Sequence, residues 1–600
     1  MISAPGIPEP AHHSNSEPPS RATSSDSSPS ERTQHGPIEL VTLPKPVTFT
    51  EDKKSWSQRW RSCGRSTEPK PPKQKKVWPT DWRAYTTLLG GFLLMFNSWG
   101  IVNAFGTFLS FYQEVLLPNS RLEVFNLIGS TQSFVVLSLS FIIGRLLDAG
   151  FHLPLRIIGT VLTCLGLFLL SVVNGGGMQG EGSAVLDWVV QGLVCGLGMA
   201  CFFVTSSQVV ATWFQDRKGF AIGVVATGAS IAGLIYPIML RFLIDSYGFN
   251  TAVRYITLLC FLTCLLSIFL IQPNPEHKLR PLSLRQSPDY TPPPSRLPSI
   301  AEHPTTTSSS SSSTISAPQP STSSPSPILA LKTWLDPVAL RHPSFLLFTA
   351  AISMMFFGFY GVFFNLEEWA AQRRVGFKGA TPPPCPADQP DCVTPGLRTY
   401  WLLAIMNASS SVGRLSSSYL CDRFGALKVH SSVTIVSGVL CVALWSTARN
   451  LSGAIAFVVL FGAFSGSVIG LPPASMAAIL GPGKEEQARL GQWVGMMYTV
   501  AAPFALTGPV IEGYFIQRYG YNFFTIQFFS GGCLLFSGAL MMLALLVSKG
   551  ERAERVLREI RRGRDKVRER KERMGSVVST MGSTVGSRAS SLFKGRKEEV

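Results

Sequence analysis

The sequence predicts an all-α membrane protein with twelve transmembrane helices in two six-helix halves, and three observations predict it. Only 15% of the 600 residues are charged and 46% are hydrophobic, whereas soluble domains carry about 25% charged residues. Apolar runs of about 20 residues, long enough to cross a hydrocarbon core of about 30 Å, recur along the chain. A polar segment in the middle leaves six such runs on either side.

The apolar runs define two bundles, residues 84–272 and residues 344–548. A segment with few apolar residues cannot offset the entropy that it loses on ordering. We therefore predict a disordered cytoplasmic tail at 1–83, a disordered cytoplasmic linker at 273–343 and a charged cytoplasmic tail at 549–600. The twelve spans are predicted at 86–110, 124–146, 154–174, 186–211, 219–243, 252–272, 344–365, 398–419, 427–447, 452–477, 488–512 and 521–547.

Lys and Arg in the joints between spans predict the orientation, because cytoplasmic joints carry an excess of both. The joints after the second and fourth spans carry Arg145, Arg156, Arg217 and Lys218, whereas joint 175–185 carries neither residue type. Both termini and the middle segment are also basic, so they are predicted to face the cytoplasm. We expect a multi-pass protein of the plasma membrane, and the vacuolar membrane or another endomembrane is the alternative.

The joint between the seventh and eighth spans is predicted to face outward or into a lumen. It contains Cys385 and Cys392, seven residues apart. Oxidising compartments permit disulfides, so a disulfide between these two residues and a pair of free thiols are both open. A disulfide here would staple a loop and would supply no chemistry.

Charge and motif content exclude several classes of function. The net charge of +17 lies mostly in the tails and the middle segment, with no basic patch among aromatic residues, so no nucleic-acid partner is predicted. The chain has no phosphate-binding glycine loop, dinucleotide fingerprint, zinc-protease helix or nucleophile elbow. We predict no enzyme activity, no catalytic residue, no metal and no cofactor. Gradient-driven movement of a small solute across the lipid bilayer remains, with a non-transporting sensor or scaffold as the alternative.

Two joints at matched positions in the halves carry similar residues. Gly144 to Asp148 follows the second span as GRLLD, and Asp422, Arg423 and Gly425 follow the eighth. Matched motifs in two halves are typical of the internal repeats of secondary transporters. The layout and this pair of motifs resemble the major facilitator superfamily. That resemblance implies a monomer whose cytoplasmic gate is fastened by these joints and released as the halves rock.

The fifth span opens with a more specific motif, WFQDRKGFAIG at residues 213–223. It is similar to a signature of the monocarboxylate-transporter family, and residues 80–548 resemble the fungal branch of that family. The charged start is predicted to anchor the cytoplasmic end of the span, and its glycines are predicted to let helices approach closely. The residues of this signature are Trp213, Phe214, Arg217, Lys218, Gly223 and Gly228.

Arg414 lies several residues inside the eighth predicted span. An Arg at the centre of a membrane costs about 2.5–3.5 kcal/mol on insertion scales, so it must face a cavity or a partner. Asn407, Ser410, Ser411 and Arg414 fall on one helical face. In the related carriers an arginine of this helix binds the substrate carboxylate, and the resemblance implies this role for Arg414. The alternative is that Arg414 reaches the cytoplasm and pairs with Asp422.

Two positions depart from the lactate-type carriers. Asn103 stands nearest to the position of a lysine in the first helix, and Ser410 replaces an aspartate one turn before the arginine. Both departures argue against a simple proton–lactate symport. Glu367 and Glu512 are the candidates for proton coupling, and the alternative is that both are hydrated residues at the outer mouth. Other polar residues predicted to line the path are Asn97, Tyr360, Asn365 and Gln492.

Together these features predict a secondary active transporter that works by alternating access. The solute is expected to be a small organic acid or an organic metabolite, and export of a fungal secondary metabolite is the favoured direction. Import of a monocarboxylate or of a vitamin such as riboflavin is the alternative. These expectations about the solute follow from the family resemblance.

Overall fold

The protein is described by a computed structural model over residues 78–595, apart from 149, 215–216, 276–335, 380, 383, 385–393, 482–486 and 488. The described residues are helical almost throughout, and ten of their helices are long and apolar enough to cross a membrane. The first and eighth predicted spans are helical as well. The first is broken into shorter helices, and the eighth is too polar to count among the ten. The predicted all-α architecture is therefore confirmed.

The first half contains six spans in the predicted order. Its first span is broken into Trp82–Asn97, Trp99–Asn103 and Phe105–Phe111, and a π-helical turn at Tyr112–Leu116 follows. The second to sixth spans are Leu122–Asp148, His152–Val173, Ala184–Trp213, Lys218–Tyr247 and Phe249–Leu270.

Ser98 interrupts the first span because its backbone leaves helical geometry, with φ −97° and ψ −95°. Its hydroxyl donates a hydrogen bond to the carbonyl of Met199 in the fourth span, 3.0 Å away. The neighbouring Asn97 donates to Thr263 of the sixth span and accepts from Tyr236 of the fifth, each at 2.8 Å. Three helices of the first half therefore hold the break.

The second half repeats the arrangement of six spans. The seventh to twelfth spans are Pro343–Gln372, Thr399–Phe424, Ala426–Trp445, Leu451–Gly470, Leu490–Arg518 and Phe524–Gly595. Short helices at Pro337–Leu340 and Pro472–Leu480 precede the seventh span and follow the tenth. The eighth span is long but too polar to count among the ten apolar helices, because Asn407, Arg414 and several serines lie within it.

The twelfth helix continues beyond its apolar part without interruption, as far as Gly595. Glu551 fastens this extension to the start of the seventh span, where it accepts a hydrogen bond of 2.6 Å from the Ser344 hydroxyl. Arg552 donates to the carbonyl of Ala478 before the eleventh span. The predicted division between residues 548 and 549 lies within this helix.

The two halves meet along two long helix pairs, the second with the eleventh span and the fifth with the eighth. We call the end of the bundle at which Trp82 and Phe424 lie the tail end, and the end at which Leu116 and Arg398 lie the loop end. Contacts across both pairs run from one end to the other. The halves are therefore joined at both ends in this conformation.

Candidate functional site

The fifth and eighth spans bring most of the predicted path residues together at the middle of the boundary between the halves. The Arg414 Nη1 donates to the carbonyl of Ala226 at 2.6 Å. One turn away, the hydroxyls of Ser410 and Ser230 lie 3.0 Å apart. Asn103 of the first span reaches the carbonyl of Ala229 at 3.4 Å. Three spans from two halves therefore meet here.

Asn407 lies one further turn along the same face. Its side chain is packed against Gly233, where an added Cβ would come within 2.5 Å of the Asn407 Cγ. The Asn407 amide donates to the carbonyl of Leu403 at 3.0 Å, and the Ser411 hydroxyl donates to the Asn407 carbonyl at 3.4 Å. A side chain at position 233 would therefore require Asn407 or one of the two helices to shift.

Arg414 is 5% exposed and points toward the fifth span. Its position matches the sequence argument that a charged group inside a span needs a cavity or a partner. The guanidinium uses Nη1 for Ala226, and its Nε has no hydrogen-bond partner among the described residues. Tyr360 of the seventh span lies close enough to Arg414 for an electrostatic interaction.

An aromatic cluster crosses the boundary beside these residues. Trp99 of the first span stacks on Tyr360 of the seventh, with ring centroids 5.6 Å apart and planes 7° apart. Phe203 of the fourth span packs edge-on against Tyr498 of the eleventh at 5.5 Å. Trp99 also packs against Phe203 at 5.4 Å. Both contacts between the halves therefore join aromatic rings at the centre of the bundle.

Four buried polar atoms around this centre lack a hydrogen-bond partner within the described part of the chain. They are the Nε1 of Trp99, the Oη of Tyr360, the Oδ1 of Asn407 and the Nε of Arg414. A buried polar group without a partner costs about 1–3 kcal/mol. Each of the four residues contacts the opposite half, so a ligand bound between the halves would supply the missing hydrogen bonds.

The loop end carries a network of charged residues, and of these the sequence singled out Glu367 but not Arg241 or Glu114. Arg241 of the fifth span donates to Glu114 at 3.2 Å and to Ser110 at 2.6 Å, both in the first half. Glu367 of the second half lies 4.0 Å from Arg241 and also accepts from Thr107 of the first span. The network therefore joins the halves through one arginine and one glutamate.

Further polar contacts reinforce the loop end. Asn126 of the second span donates to Asn365 at 3.3 Å and to the carbonyl of Pro509 at 2.8 Å. At the rim, Arg398 forms an ion pair of 2.5 Å with Asp245. The hydrogen bond that Arg398 donates to Asp245 raises the pKa of the Arg398 guanidinium above its ordinary value. The predicted path residue Asn365 is therefore part of a contact between the halves at the loop end.

Glu512, the second candidate for proton coupling, lies inside the second half. It is fully buried and accepts a hydrogen bond of 2.6 Å from Ser530 of the twelfth span. Its other carboxylate oxygen lies where a side chain at Gly361 of the seventh span would stand. These contacts join spans seven, eleven and twelve, and none of them involves the first half. The alternative that Glu512 is a hydrated residue of the outer mouth does not fit this burial.

The tail end holds the residues of the two joint motifs. Gly144 packs against Gln208 of the fourth span, and Gly425 ends the eighth span with a φ of 92°. Arg423 lies over the ring of Phe424, 5.6 Å from its centroid. The structure does not describe the side chain of Asp148, so that part of the motif lies outside the described residues. Asp422 is exposed.

Gln492 of the eleventh span connects the two halves at the tail end. Its amide oxygen accepts hydrogen bonds from the Arg145 guanidinium at 3.0 Å and from the backbone N–H of Asp336 at 3.2 Å. Asp336 also accepts from the Trp493 indole at 3.0 Å. Gln492 was predicted to line the path, and the structure places it in this contact between the halves.

Some residues of the fifth-helix signature lie at the tail end, and others lie where the fifth span packs against the first and eighth spans. Trp213 donates to the carbonyl of Gln272 at 2.8 Å, Phe214 is buried, and Arg217 lies 4.2 Å from the ring centroid of Trp78. Gly223 faces Ser418 of the eighth span and Gly228 faces the backbone of Phe92 in the first. The side chain of Lys218 lies outside the described residues, as do Cys385 and Cys392.

Among the residues that the sequence analysis missed, Arg241 carried a usable signal. It lies inside the predicted span 219–243, so the cost of a charge in lipid required a partner for Arg241 as it did for Arg414. Glu114 and Thr107 carried no comparable signal, because polar residues near the end of a span are ordinary. The stack of Trp99 on Tyr360 could not be predicted, since it depends on how the halves meet.

Comparison with known proteins identifies the family. A profile described as Major Facilitator Superfamily matches residues 87–506. The MFS-type transporter dbaD of Emericella nidulans is 26% identical, over 77% of this chain and 86% of the relative. The aspyridones efflux protein apdF of the same organism is 25% identical, over 80% and 81%. The fujikurins efflux protein of Gibberella fujikuroi is 25% identical, over 76% and 82%.

The solved fucose–proton symporter of Escherichia coli has a TM-score of 0.46 at 14% identity, covering 77% of this chain and 98% of the symporter. The family assignment does not rest on that likeness. Because the family profile spans most of the chain, the chain belongs to the Major Facilitator Superfamily. It is a multi-pass membrane transporter, as the sequence predicted.

Proposed function

We propose that this member of the Major Facilitator Superfamily exports an organic metabolite by alternating access, through a central site between its two halves. The observation that carries the proposal is the group of four unpartnered polar atoms on Trp99, Tyr360, Asn407 and Arg414. The four residues belong to spans one, seven and eight, and each of them contacts the opposite half. A solute bound there would contact both halves at once, as alternating access requires.

The names of the relatives support export. Two of them are efflux proteins, for aspyridones and for fujikurins. Each aligns with more than three quarters of this chain, so the likeness covers both halves. We propose the plasma membrane as the site of export, with both termini on the cytoplasmic side, because of the Lys and Arg distribution in the joints.

Arg414 is the proposed contact for an acidic group of the solute. A guanidinium binds a carboxylate through two parallel hydrogen bonds, and a rearrangement that frees Nη1 from Ala226 would give Arg414 two donors. Asn103, Asn407, Ser410 and Ser411 would complete the polar side of the path. Placement within the monocarboxylate-transporter family remains part of this proposal, and it is supported by the signature of the fifth span.

Glu367 is a better candidate for proton coupling than Glu512. Glu367 contacts Thr107 and Arg241 of the first half, so its surroundings change whenever the loop end opens. The hydrogen bond of Glu512 to Ser530 stays within the second half. Protonation of a group can be coupled to rocking only if the group binds its proton with different affinity in the two conformations.

The test is a transport assay in inside-out vesicles from a yeast that lacks its own exporters, with a panel of organic acids and neutral metabolites. We expect uptake of at least one organic acid by wild type and a loss of about tenfold or more in Arg414→Ala, a change equivalent to about 1.4 kcal/mol. Arg156→Ala is the matched control, because Arg156 is also buried and donates to backbone carbonyls, but within the first half alone.

Expression and thermal stability of both variants are measured first, so that misfolding is recognised. Loss of transport in a folded Arg414→Ala, with transport retained in a folded Arg156→Ala, supports the proposed site. No movement of any panel member by wild type, in either direction, would favour the sensor or scaffold alternative. Uptake into whole cells instead of inside-out vesicles would reverse the proposed direction.

A further inference from the structure

The central site also indicates a substrate class, and this inference rests on the proposed function. We infer that the site binds a planar, conjugated solute that carries an anionic or carbonyl oxygen on its ring system. Stacked aromatic rings would recognise the plane of the solute, and the unpartnered donors around them would recognise the oxygen.

Rocking of the carrier would separate aromatic rings that now touch across the boundary between the halves. Trp99 belongs to the first half, and both of its stacking partners, Tyr360 and Phe356, belong to the second. Phe203 and Tyr498 form a further pair across the boundary. Movement of one half away from the other therefore exposes aromatic faces on both sides of the opening. A flat solute between those faces replaces the ring contacts that the halves lose.

The stacked rings at the boundary are nearly parallel to one another. The planes of Trp99 and Tyr360 are 7° apart, and those of Trp99 and Phe356 are 22° apart. Phe356 and Tyr360 are themselves stacked at 19°. Offset stacking is favourable between flat π-systems. Three nearly parallel rings therefore match the thickness of a planar solute better than that of a puckered, saturated one.

Polar atoms at and near the edges of these rings lack hydrogen-bond partners. Trp99 offers an indole N–H, Tyr360 offers a hydroxyl and Arg414 offers an Nε–H, and none of the three has a hydrogen-bond partner among the described residues. Indole and guanidinium nitrogens can only donate. The ligand must therefore present acceptor oxygens at its edge. A charge-assisted bond to Arg414 favours an oxygen that is anionic.

A second buried tryptophan provides a matched control. Trp445 stacks on Phe457 with centroids 5.3 Å apart and planes 6° apart, and its indole nitrogen is also without a partner in the described structure. Both rings of that pair belong to the second half. The same substitution at Trp445 therefore changes a buried stacked indole without touching the boundary between the halves.

The experiment measures binding to full-length protein in lipid nanodiscs by isothermal titration calorimetry. The probes are 2-naphthoate and decahydro-2-naphthoate, which share a carboxylate and differ in the planarity of their rings. We expect wild type to bind 2-naphthoate at least about tenfold more tightly, since stacking on aromatic side chains contributes about that much. Trp99→Ala should remove this preference, and Trp445→Ala should keep it.

Trp99→Phe and Tyr360→Phe are measured in the same way and test the inference if Trp99→Ala does not fold. Both keep a stacking ring and remove one donor, so each should keep the planar preference while weakening the binding of both acids. Equal binding of the two acids by wild type would overturn the inference, as would equal losses at Trp99 and Trp445. Failure of folded wild type to bind 2-naphthoate would overturn it as well.

The assay separates this inference from the proposed function, because it needs no transport. A planar preference in a protein that moves no solute would support the substrate class and contradict export. Export of saturated solutes by a protein without a planar preference would support the proposed function and contradict the substrate class.

Discussion

Arg414 and Glu512 show how far a single residue can be read from the sequence. The apolar surroundings of Arg414 predicted that it would face a partner, and the structure turns it toward Ala226. The sequence left pairing with Asp422 open, because the direction of a long side chain depends on packing between helices. For Glu512 the sequence left proton coupling and a hydrated place at the outer mouth open, and the packing of spans seven and twelve buries the residue.

Glu512→Gln should leave transport unchanged and should not lower the free energy of unfolding. The amide keeps the acceptor for Ser530 and removes the cost of an ionisable group in a buried place. Glu512→Ala should lower the free energy of unfolding by about 1–3 kcal/mol, because it leaves the Ser530 hydroxyl without its partner. Thermal unfolding in detergent compares the two variants. A large loss of transport in a stable Glu512→Gln would mean that Glu512, and not Glu367, couples transport to protons.

At the scale of helices, the apolar runs predicted the number, order and approximate ends of the spans. They could not predict the break at Ser98, because it depends on a hydrogen bond to Met199 in another span. They also could not predict that the twelfth helix continues to Gly595, since charged residues alone do not distinguish a continuing helix from a separate tail. Helix pairing across the halves is a third property that only the folded chain shows.

Gly233→Ala should destabilise the closed contact between the fifth and eighth spans. The added methyl group would meet Asn407 at 2.5 Å, and overpacking of this kind costs about 1–3 kcal/mol. The variant should therefore have a lower Tm and slower transport than wild type. Gly532→Ala is the control, because a Cβ at Gly532 meets no atom within 4 Å. Equal behaviour of the two variants would contradict the described packing of the fifth and eighth spans.

At the scale of the whole molecule, the two halves are joined at the loop end by charged residues and at the tail end by Gln492. Both sets of contacts must alternate if the carrier exposes its centre to each side in turn. The layout of six plus six spans predicted the two halves. Which residues close each end could not be predicted, because the contacts join residues far apart in sequence, such as Arg241 and Glu367.

Glu367→Gln should make transport insensitive to the proton gradient. The amide still accepts from the Thr399 hydroxyl but no longer attracts Arg241, so protons lose their effect on the loop end. Coupling between two sites is typically about 1–3 kcal/mol, and we expect gradient-driven transport to fall about tenfold. Solute exchange without a gradient should persist. Glu512→Gln serves as the control, and an unchanged response of Glu367→Gln to the gradient would contradict the proposed coupling.

The most direct test of a central site between the halves is transport of an organic acid into inside-out vesicles by wild type, Arg414→Ala and Arg156→Ala. If the solute binds at the boundary, Arg414→Ala loses transport by about tenfold or more, and a folded Arg156→Ala retains it. Equal transport by wild type and a folded Arg414→Ala would place the solute elsewhere and contradict the account.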